Sequence, residues 1–318
     1  MSQVKSAILL VGGMGTRMQP LTFSTPKPML PLLGVPITEH QILKAKAAGI
    51  TEIVLATSYL ADVFIPYFGN GEKFGITISY AVEESARGTG GAIRNAAALL
   101  HGDGPVVIFN GDVLSKHSLE NQIAFHEANS ADVTLYLTEV EDARAFGVVE
   151  MNGDRIATFN EKMENPPTNV INAGCYIFNR AVIDEIPADT VVSVERETFP
   201  ALLQRSANVF GFIDHGYWLD IGNPGALLKA TRDLIVATGH HWMQGKGSDV
   251  DPTAIVDEGS FIGAGAVVGA GAQLHQCIVG EGAVIGEDVE LSRTFIAAGA
   301  HISPKTIATG EFLGFSAS

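Results

Sequence analysis

Up to about Val236, short apolar runs alternate with stretches that carry a helical spacing of apolar residues. Ala7-Ile8-Leu9-Leu10-Val11 is a continuous apolar run, and such a run reads as a buried strand. A helix near Glu39–Ala48 follows, with Gly49 as its stop, and then a strand at Glu52–Thr57. Ile76–Ala81 and Val106–Phe109 read as further strands, with an alanine-rich helix over Gly91–Leu100 between them. This βαβα alternation predicts an α/β domain whose mostly parallel sheet is covered on both faces. In such folds ligands bind at the carboxyl ends of the strands.

From Val133 the rhythm changes. Val133–Thr138, Gly147–Met151, Ile156–Phe159 and Val170–Phe178 read as short strands without long helices between them, so a mixed or antiparallel layer is expected. Val194–Gln204 and Pro224–Thr238 return to a helical pattern. Gly239–Ser248 has the composition of a linker. Its pair His240-His241 cannot share one face of a regular element and has no obvious third metal ligand.

Beyond Asp249 a repeat takes over. Val256, Ile262, Val268 and Leu274 recur every six residues, with Gly263, Gly265, Gly269 and Gly271 among them. The register then slips, and Val279, Ile285 and Leu291 resume the period, continued by Ile296 and Ile302. One aliphatic residue per six predicts a parallel β-helix. His275 and His301 are the histidines of this run, and the sequence sets no constellation around either, which argues against a second catalytic centre there. The expected domains are 1–238, a linker 239–248, and the repeat 249–318.

Chemistry concentrates just after the first strand. Gly12-Gly13-Met14-Gly15-Thr16-Arg17 is followed by Thr25-Pro26-Lys27-Pro28-Met29. Glycines at the end of a strand let the backbone approach a ligand, and their N–H groups can bond phosphate oxygens. Arg17 and Lys27 add two cations to a chain of net charge −15. That is the layout of a nucleoside triphosphate site. It is neither a Walker A loop, which needs Gly-Lys-Ser/Thr, nor a dinucleotide fingerprint, since Met18 stands where the third glycine belongs. Asp112 in Asn110-Gly111-Asp112 follows a strand, and Asp220 in Trp218-Leu219-Asp220-Ile221-Gly222 precedes a helix. Carboxylates at such reversals suit Mg²⁺ held on bound phosphates.

The acidic balance argues against nucleic acid as a partner, because a phosphate backbone needs a basic face. Two cysteines, Cys175 and Cys277, supply no disulfide framework and fit a reducing, cytoplasmic setting. Cys175 lies in a strand-like run and reads as core. No signal-peptide pattern and no apolar stretch of membrane-spanning length is expected.

Taken together, the glycine loop, Asn110-Gly111-Asp112, Glu161-Lys162, Asn172-Ala173-Gly174, Trp218-Leu219-Asp220 and the hexapeptide run resemble the sugar-1-phosphate nucleotidyltransferases, or nucleotide-diphosphate-sugar pyrophosphorylases. The resemblance covers nearly the whole chain. It implies a Rossmann-like nucleotidyltransferase domain followed by a short left-handed β-helix. It also implies Arg17, Lys27, Asp112 and Asp220 as catalytic residues, the two aspartates holding Mg²⁺. Leu10, Gly12, Gly13, Gly15, Thr16, Arg17, Glu84, Gly88, Thr89, Asn110 and Gly111 would bind the nucleotide. Gly147, Glu161, Lys162, Asn172, Ala173 and Gly174 would bind the sugar phosphate, with the later strands forming the wall of its site.

Pro26-Lys27-Pro28-Met29, Glu39-His40-Gln41-Ile42, Ala145-Phe146-Gly147-Val148 and Ser193-Val194-Glu195-Arg196-Glu197 are similar to the mannose-1-phosphate guanylyltransferase branch. This implies GTP and mannose-1-phosphate as substrates, with GDP-mannose and pyrophosphate as products. Two departures bear on the base and the phosphates: Met18-Gln19 stands where many relatives carry Leu-Arg, and Arg87 where an apolar residue is usual. The repeat array is also short. Thymidylyl- or uridylyltransferase activity is the alternative within the family. A non-catalytic sugar-nucleotide-binding regulator is the alternative outside it. A homo-oligomer is expected, because the last rung of a short β-helix needs a cap or a partner.

Overall fold

The computed structural model describes residues 3–13, 15–57, 61–83 and 85–316. Its contacts divide the chain into two units. One comprises Met1–Gly13 and Thr38–Trp218, the other Met14–Ile37 and Leu219–Ser318.

The first unit is built on one nine-stranded sheet. Its strands are β1 (Ser6–Leu10), β2 (Glu52–Thr57), β3 (Thr77–Val82), β4 (Val106–Asn110), β5 (Val133–Glu139), β6 (Gly147–Asn152), β7 (Arg155–Glu161), β8 (Val170–Phe178) and β9 (Val209–Ile213). The spatial order is β3-β2-β1-β4-β8-β5-β9-β7-β6. β3, β2, β1 and β4 run parallel, as the alternating sequence pattern implies. From β4 onward the pairings are antiparallel, except that β9 runs parallel to β5. The strands expected to form a mixed layer therefore extend the same sheet.

Ile8 and Leu9 of β1 are fully buried, as are Val54 of β2 and Ile108 of β4, which explains the unbroken apolar runs: both faces of these strands are covered. The helices are α1 (Ile37–Ala47), α2 (Ala61–Phe68), α3 (Gly88–Ala97), α4 (Leu119–Ala128), α5 (Arg180–Asp184), α6 (Phe199–Gln204) and α7 (Pro224–Ala237). The stretch read as one helix from Val194 opens instead as a π turn over Val194–Thr198, and α6 continues from it. Ser193 fixes its start: the hydroxyl accepts from Arg196 N, and the Ser193 amide donates to Glu197 Oε1. This reciprocal pair satisfies two donors that a helix start leaves open.

In the second unit, α7 and the repeat segment dominate. The repeat coils into three parallel sheets, one per face. On one face Val250, Val268, Ile285 and Ile302 stack in register; on the next, Val256, Leu274, Leu291 and Ala308. Successive coils thus take 18, 17 and 17 residues. The slip seen in the sequence is a shorter corner. Glu258-Gly259 turns the first coil, while single residues, Gln276 and Arg293, turn the next two, all at positive φ. The stretch with linker composition, Gly239–Ser248, itself carries a strand. Trp242–Gln244 pairs with Ser260–Ile262 and opens the first face. His275 also has a partner that the sequence reading did not supply. Its Nδ1 lies 2.5 Å from Asp257 Oδ1, because residues 18 apart are in register on adjacent coils. With Glu258 they bring three potential ligand atoms within 4.8 Å of one another.

Candidate active site

Leu10, Ala56 and Asn110 lie level in the sheet, so the loops after β1 and β4 leave its same edge. Gly12 and Gly13 are exposed there, and a Cβ on Gly13 would meet nothing within 4 Å, which leaves its backbone open to a ligand. Gly111 is held from behind: its amide donates to Leu10 O at 3.0 Å, and an added Cβ would fall 2.4 Å from that oxygen. Only glycine fits this turn. Asp112 follows, half-buried. Met14 and Glu84, within the predicted nucleotide segments, lie outside the described residues.

Next to Glu84, Glu83 has Oε1 buried with no hydrogen-bond partner among the described residues, while Oε2 accepts weakly from Arg87 N at 3.4 Å. Burial raises its carboxyl above the ordinary value, opposed by Arg87. Arg87 itself pairs with Asp189 at 2.7 Å. The glycines of Arg87–Gly91 serve close packing. A Cβ at Gly88 would lie 2.5 Å from Val192 O, and one at Gly91 would lie 2.6 Å from Thr190 O. Thr89 joins this contact: its hydroxyl accepts from Val194 N at 2.9 Å and donates to Glu195 Oε2 at 2.8 Å.

On the predicted sugar side, Gly147 opens β6 opposite Glu161 at the end of β7. A Cβ there would lie 2.7 Å from Phe159 Cζ and 2.9 Å from Glu161 Oε2, so glycine keeps the carboxylate clear. Burial raises the Glu161 carboxyl, the charge of Glu195 adds to this, and Lys162 and Arg196 oppose it. Lys162 adopts positive φ (54°), with its Nζ 3.8 Å from Glu161 Oε1. Asn172-Ala173-Gly174 forms an irregularity between β8 and β5, where the register shifts before Tyr176. Gly174 takes φ +74°. Asn172 Oδ1 accepts from Gly174 N at 3.2 Å, and buried Ala173 gives its carbonyl to Trp218 Nε1 at 3.0 Å. Trp218 is edge-on to Phe146, ring centroids 5.4 Å apart.

Four side chains bear on these motifs that sequence reasoning gave no role: Gln41, Tyr176, Glu195 and Trp218. Gln41, Glu195 and Trp218 sit inside quoted motifs, which is the available signal, although the motif does not show that Gln41 donates across the fold to Asn110 and Val113. Tyr176 leaves no local signal. Buried Cys175 is core, as expected, with its thiol pushed up to about 12 by burial.

In the second unit, Gly15 takes φ +57° and its carbonyl accepts from Thr22 Oγ1 at 2.9 Å. A Cβ at Gly15 would lie 3.0 Å from Lys27 Cβ, so the glycine packs the two signature segments together. Thr16–Met18 and Lys27–Met29 are single 3₁₀ turns. Met18 is fully buried, which makes it a core residue of the loop, while Thr16 and Arg17 are exposed and Lys27 is buried. Asp220 ends the strand Trp218–Asp220 and is half-buried. It does not cap α7; Asn223 does, through Oδ1 accepting from Ala226 N at 3.0 Å. A Cβ on Gly222 would stand 3.1 Å from Asp220 Oδ2.

Residues 6–236 match the family described as nucleotidyl transferase. The chain belongs to that family. Within it, the chain is 46% identical over 268 residues to the mannose-1-phosphate guanylyltransferase of Mycobacterium tuberculosis, covering 81% of this chain and 74% of that protein. It is 35% identical to the mannose-1-phosphate guanyltransferase of Pichia angusta, covering 79% and 73%. Among solved structures, HddC from Yersinia pseudotuberculosis superposes with TM-score 0.62 at 26% identity, covering 72% of this chain and 99% of that one. The fold is shared with a structure titled as a glucose-1-phosphate thymidylyltransferase from Bacillus anthracis, TM-score 0.65 at 24% identity, covering 71% and 93%. The nucleotidyltransferase chemistry expected from the motifs is that of this family, and its members by name join a nucleotide to a sugar phosphate. Among the described residues no helix is long and apolar enough to cross a membrane.

Proposed function

We propose that this enzyme is a mannose-1-phosphate guanylyltransferase, joining GTP and mannose-1-phosphate to give GDP-mannose and pyrophosphate. The observation that carries this reading is the 46% identity to the M. tuberculosis protein of that name. A structure of HddC complexed with GMP-PN supports a guanine nucleotide.

In the proposed reaction an oxygen of the sugar-1-phosphate attacks the α-phosphorus of GTP in line, and the bond to the departing pyrophosphate breaks. The attacking phosphate is already anionic near neutral pH, so no general base is needed, and the work is positioning and charge neutralisation. Arg17 takes the leaving β- and γ-phosphates, and Lys27 the phosphates around the reacting centre. Leu10, Gly12, Gly13, Gly15, Thr16, Gly88, Thr89, Asn110 and Gly111 hold the nucleotide. Glu161 accepts from sugar hydroxyls and Lys162 neutralises the sugar phosphate, while Gly147, Asn172, Ala173 and Gly174 line the sugar. Asp112 and Asp220 are the carboxylates that would hold Mg²⁺. Hard oxygen donors suit this ion, and Gly222 keeps bulk away from the Asp220 carboxylate. The ion, when bound, supplies charge neutralisation on the phosphates and on the leaving oxygen.

The catalytic domain is assigned to 1–238 and the repeat domain to 249–318, with the connecting stretch 239–248 contributing the first strand of the repeat, in a cytoplasmic homo-oligomer. The test is pyrophosphate release with Mg²⁺, offering GTP, ATP, UTP, dTTP and CTP in turn with mannose-1-phosphate, then with glucose-1-phosphate. Turnover confined to GTP and mannose-1-phosphate is expected. Turnover with another pair overturns the substrates and keeps the chemistry; binding without turnover makes the chain a regulator.

A further inference from the structure

Gln41 lies in α1 and is 5% exposed. Its carboxamide nitrogen donates to two backbone carbonyls, Asn110 O at 2.8 Å and Val113 O at 2.9 Å. Those carbonyls bracket Gly111 and Asp112. One turn further along α1, Lys44 Nζ donates to Ser115 O at 3.0 Å and Ser115 Oγ at 2.9 Å, and lies 2.8 Å from His117 Nδ1. Residues three apart share a helix face, so α1 grips the segment from Asn110 to His117 along one edge. The amide of Gly111 is pinned from the other side by Leu10 O.

The other end of the Gln41 side chain is informative. Its Oε1 is buried and accepts no hydrogen bond among the described residues. An orphaned buried acceptor is destabilising, and an apolar side chain of the same shape would remove that cost. What an apolar isostere cannot supply is the pair of donors to the two carbonyls.

We propose that Gln41 is a positioning residue for Asp112: its amide fixes the Asn110–Val113 turn so that the carboxylate is presented to the cation on the nucleotide. This rests on the assignment of Asp112 to the metal. Groups that orient a metal ligand typically govern affinity by 10- to 100-fold.

The test uses Mn²⁺ as probe, with binding to the full chain read by electron paramagnetic resonance with and without GTP, alongside melting temperature. Gln41→Met is expected to weaken Mn²⁺ about tenfold, at the lower end of that range, with melting lowered because two carbonyls lose their donor. Unchanged Mn²⁺ affinity overturns the proposal. Asp112→Asn is the control. If it leaves Mn²⁺ affinity intact, the metal assignment of Asp112 fails and the proposal with it; if it weakens binding while Gln41→Met does not, the proposal alone fails. Should Gln41→Met not fold, Gln41→Glu replaces it. Its carboxylate faces two carbonyl oxygens, but once protonated it offers one O–H. The Mn²⁺ deficit relative to wild type should narrow as pH falls, and a deficit independent of pH overturns the proposal.

Discussion

The hydroxyl of Tyr176 receives a 2.9 Å hydrogen bond from Asn172 Nδ2. The same oxygen lies 3.5 Å from Asn110 Nδ2, so one fully buried phenol ties an amide assigned to the sugar phosphate to one assigned to the nucleotide. Tyr176→Phe keeps the ring against Phe178 and Phe199 and removes only the tether. One lost hydrogen bond is worth about 1 kcal/mol, roughly fivefold in an equilibrium. The KM for mannose-1-phosphate should rise by about that factor with kcat little changed. Initial-rate kinetics decide it, and an unaltered KM would show that the tether does not orient Asn172.

Glu195 adds its like charge to the burial that raises the Glu161 carboxyl. Burial is the larger cause of the raised Glu161 carboxyl, and the like charge of Glu195 is the next. Glu195→Gln removes that charge and lowers the pKa of Glu161, so more of it is ionised at any mildly acidic pH. If Glu161 binds sugar as a carboxylate, the acid limb of kcat/KM moves to lower pH. A pH–rate profile that keeps its acid limb in place would separate Glu161 from substrate binding.

The two signature cations make a graded pair. Arg17 is exposed and Lys27 buried. Removing a preorganised charge from a transition state costs about 100- to 1000-fold in rate. Arg17→Ala should lose that much in pyrophosphate release with its melting temperature unmoved. Lys27→Met should lose a similar factor and shift melting as well. Full activity in Arg17→Ala would remove it from the catalytic set.

His117 makes the fold acid-sensitive. Burial, then the adjacent Lys44, lowers it from 6.5 to about 3, although Gln122 and Asp214 act the other way. Between those two values the unfolded chain takes up a proton that the native state refuses. Stability is therefore lost as pH falls from about 6.5 toward 3. His117→Gln cannot titrate, so urea unfolding across that window should show a shallower decline than wild type. Parallel declines would mean that other groups carry the acid sensitivity.

Glu52–Thr57 was legible because nothing polar interrupts its apolar middle, Ile53–Ala56, and Val170–Phe178 falls where the pattern puts it despite Asn172. β9 was not legible. Gly211 breaks its run, and the reason lies elsewhere in the chain, since Leu137 Cδ1 occupies the space its Cβ would need. α4 hides for a related reason. Gln122 and His126 face the core, where they bond to Thr134 and other inner groups, so the helix shows no clean apolar stripe. Of the candidate site, motifs contiguous in sequence could be read directly. What holds them could not, because Gln41 meets Asn110 across 69 residues and Thr89 meets Glu195 across 106.

The even coils of the repeat segment quantise its length. A duplicated stretch of 17 residues would place every aliphatic side chain back on the axis and extend the stack by one strand spacing, about 4.8 Å. A single inserted residue within a face would turn every later rung's apolar side chain outward. Growth in this part of the molecule is therefore open to whole turns, and to fractions of one only at a corner such as Glu258-Gly259.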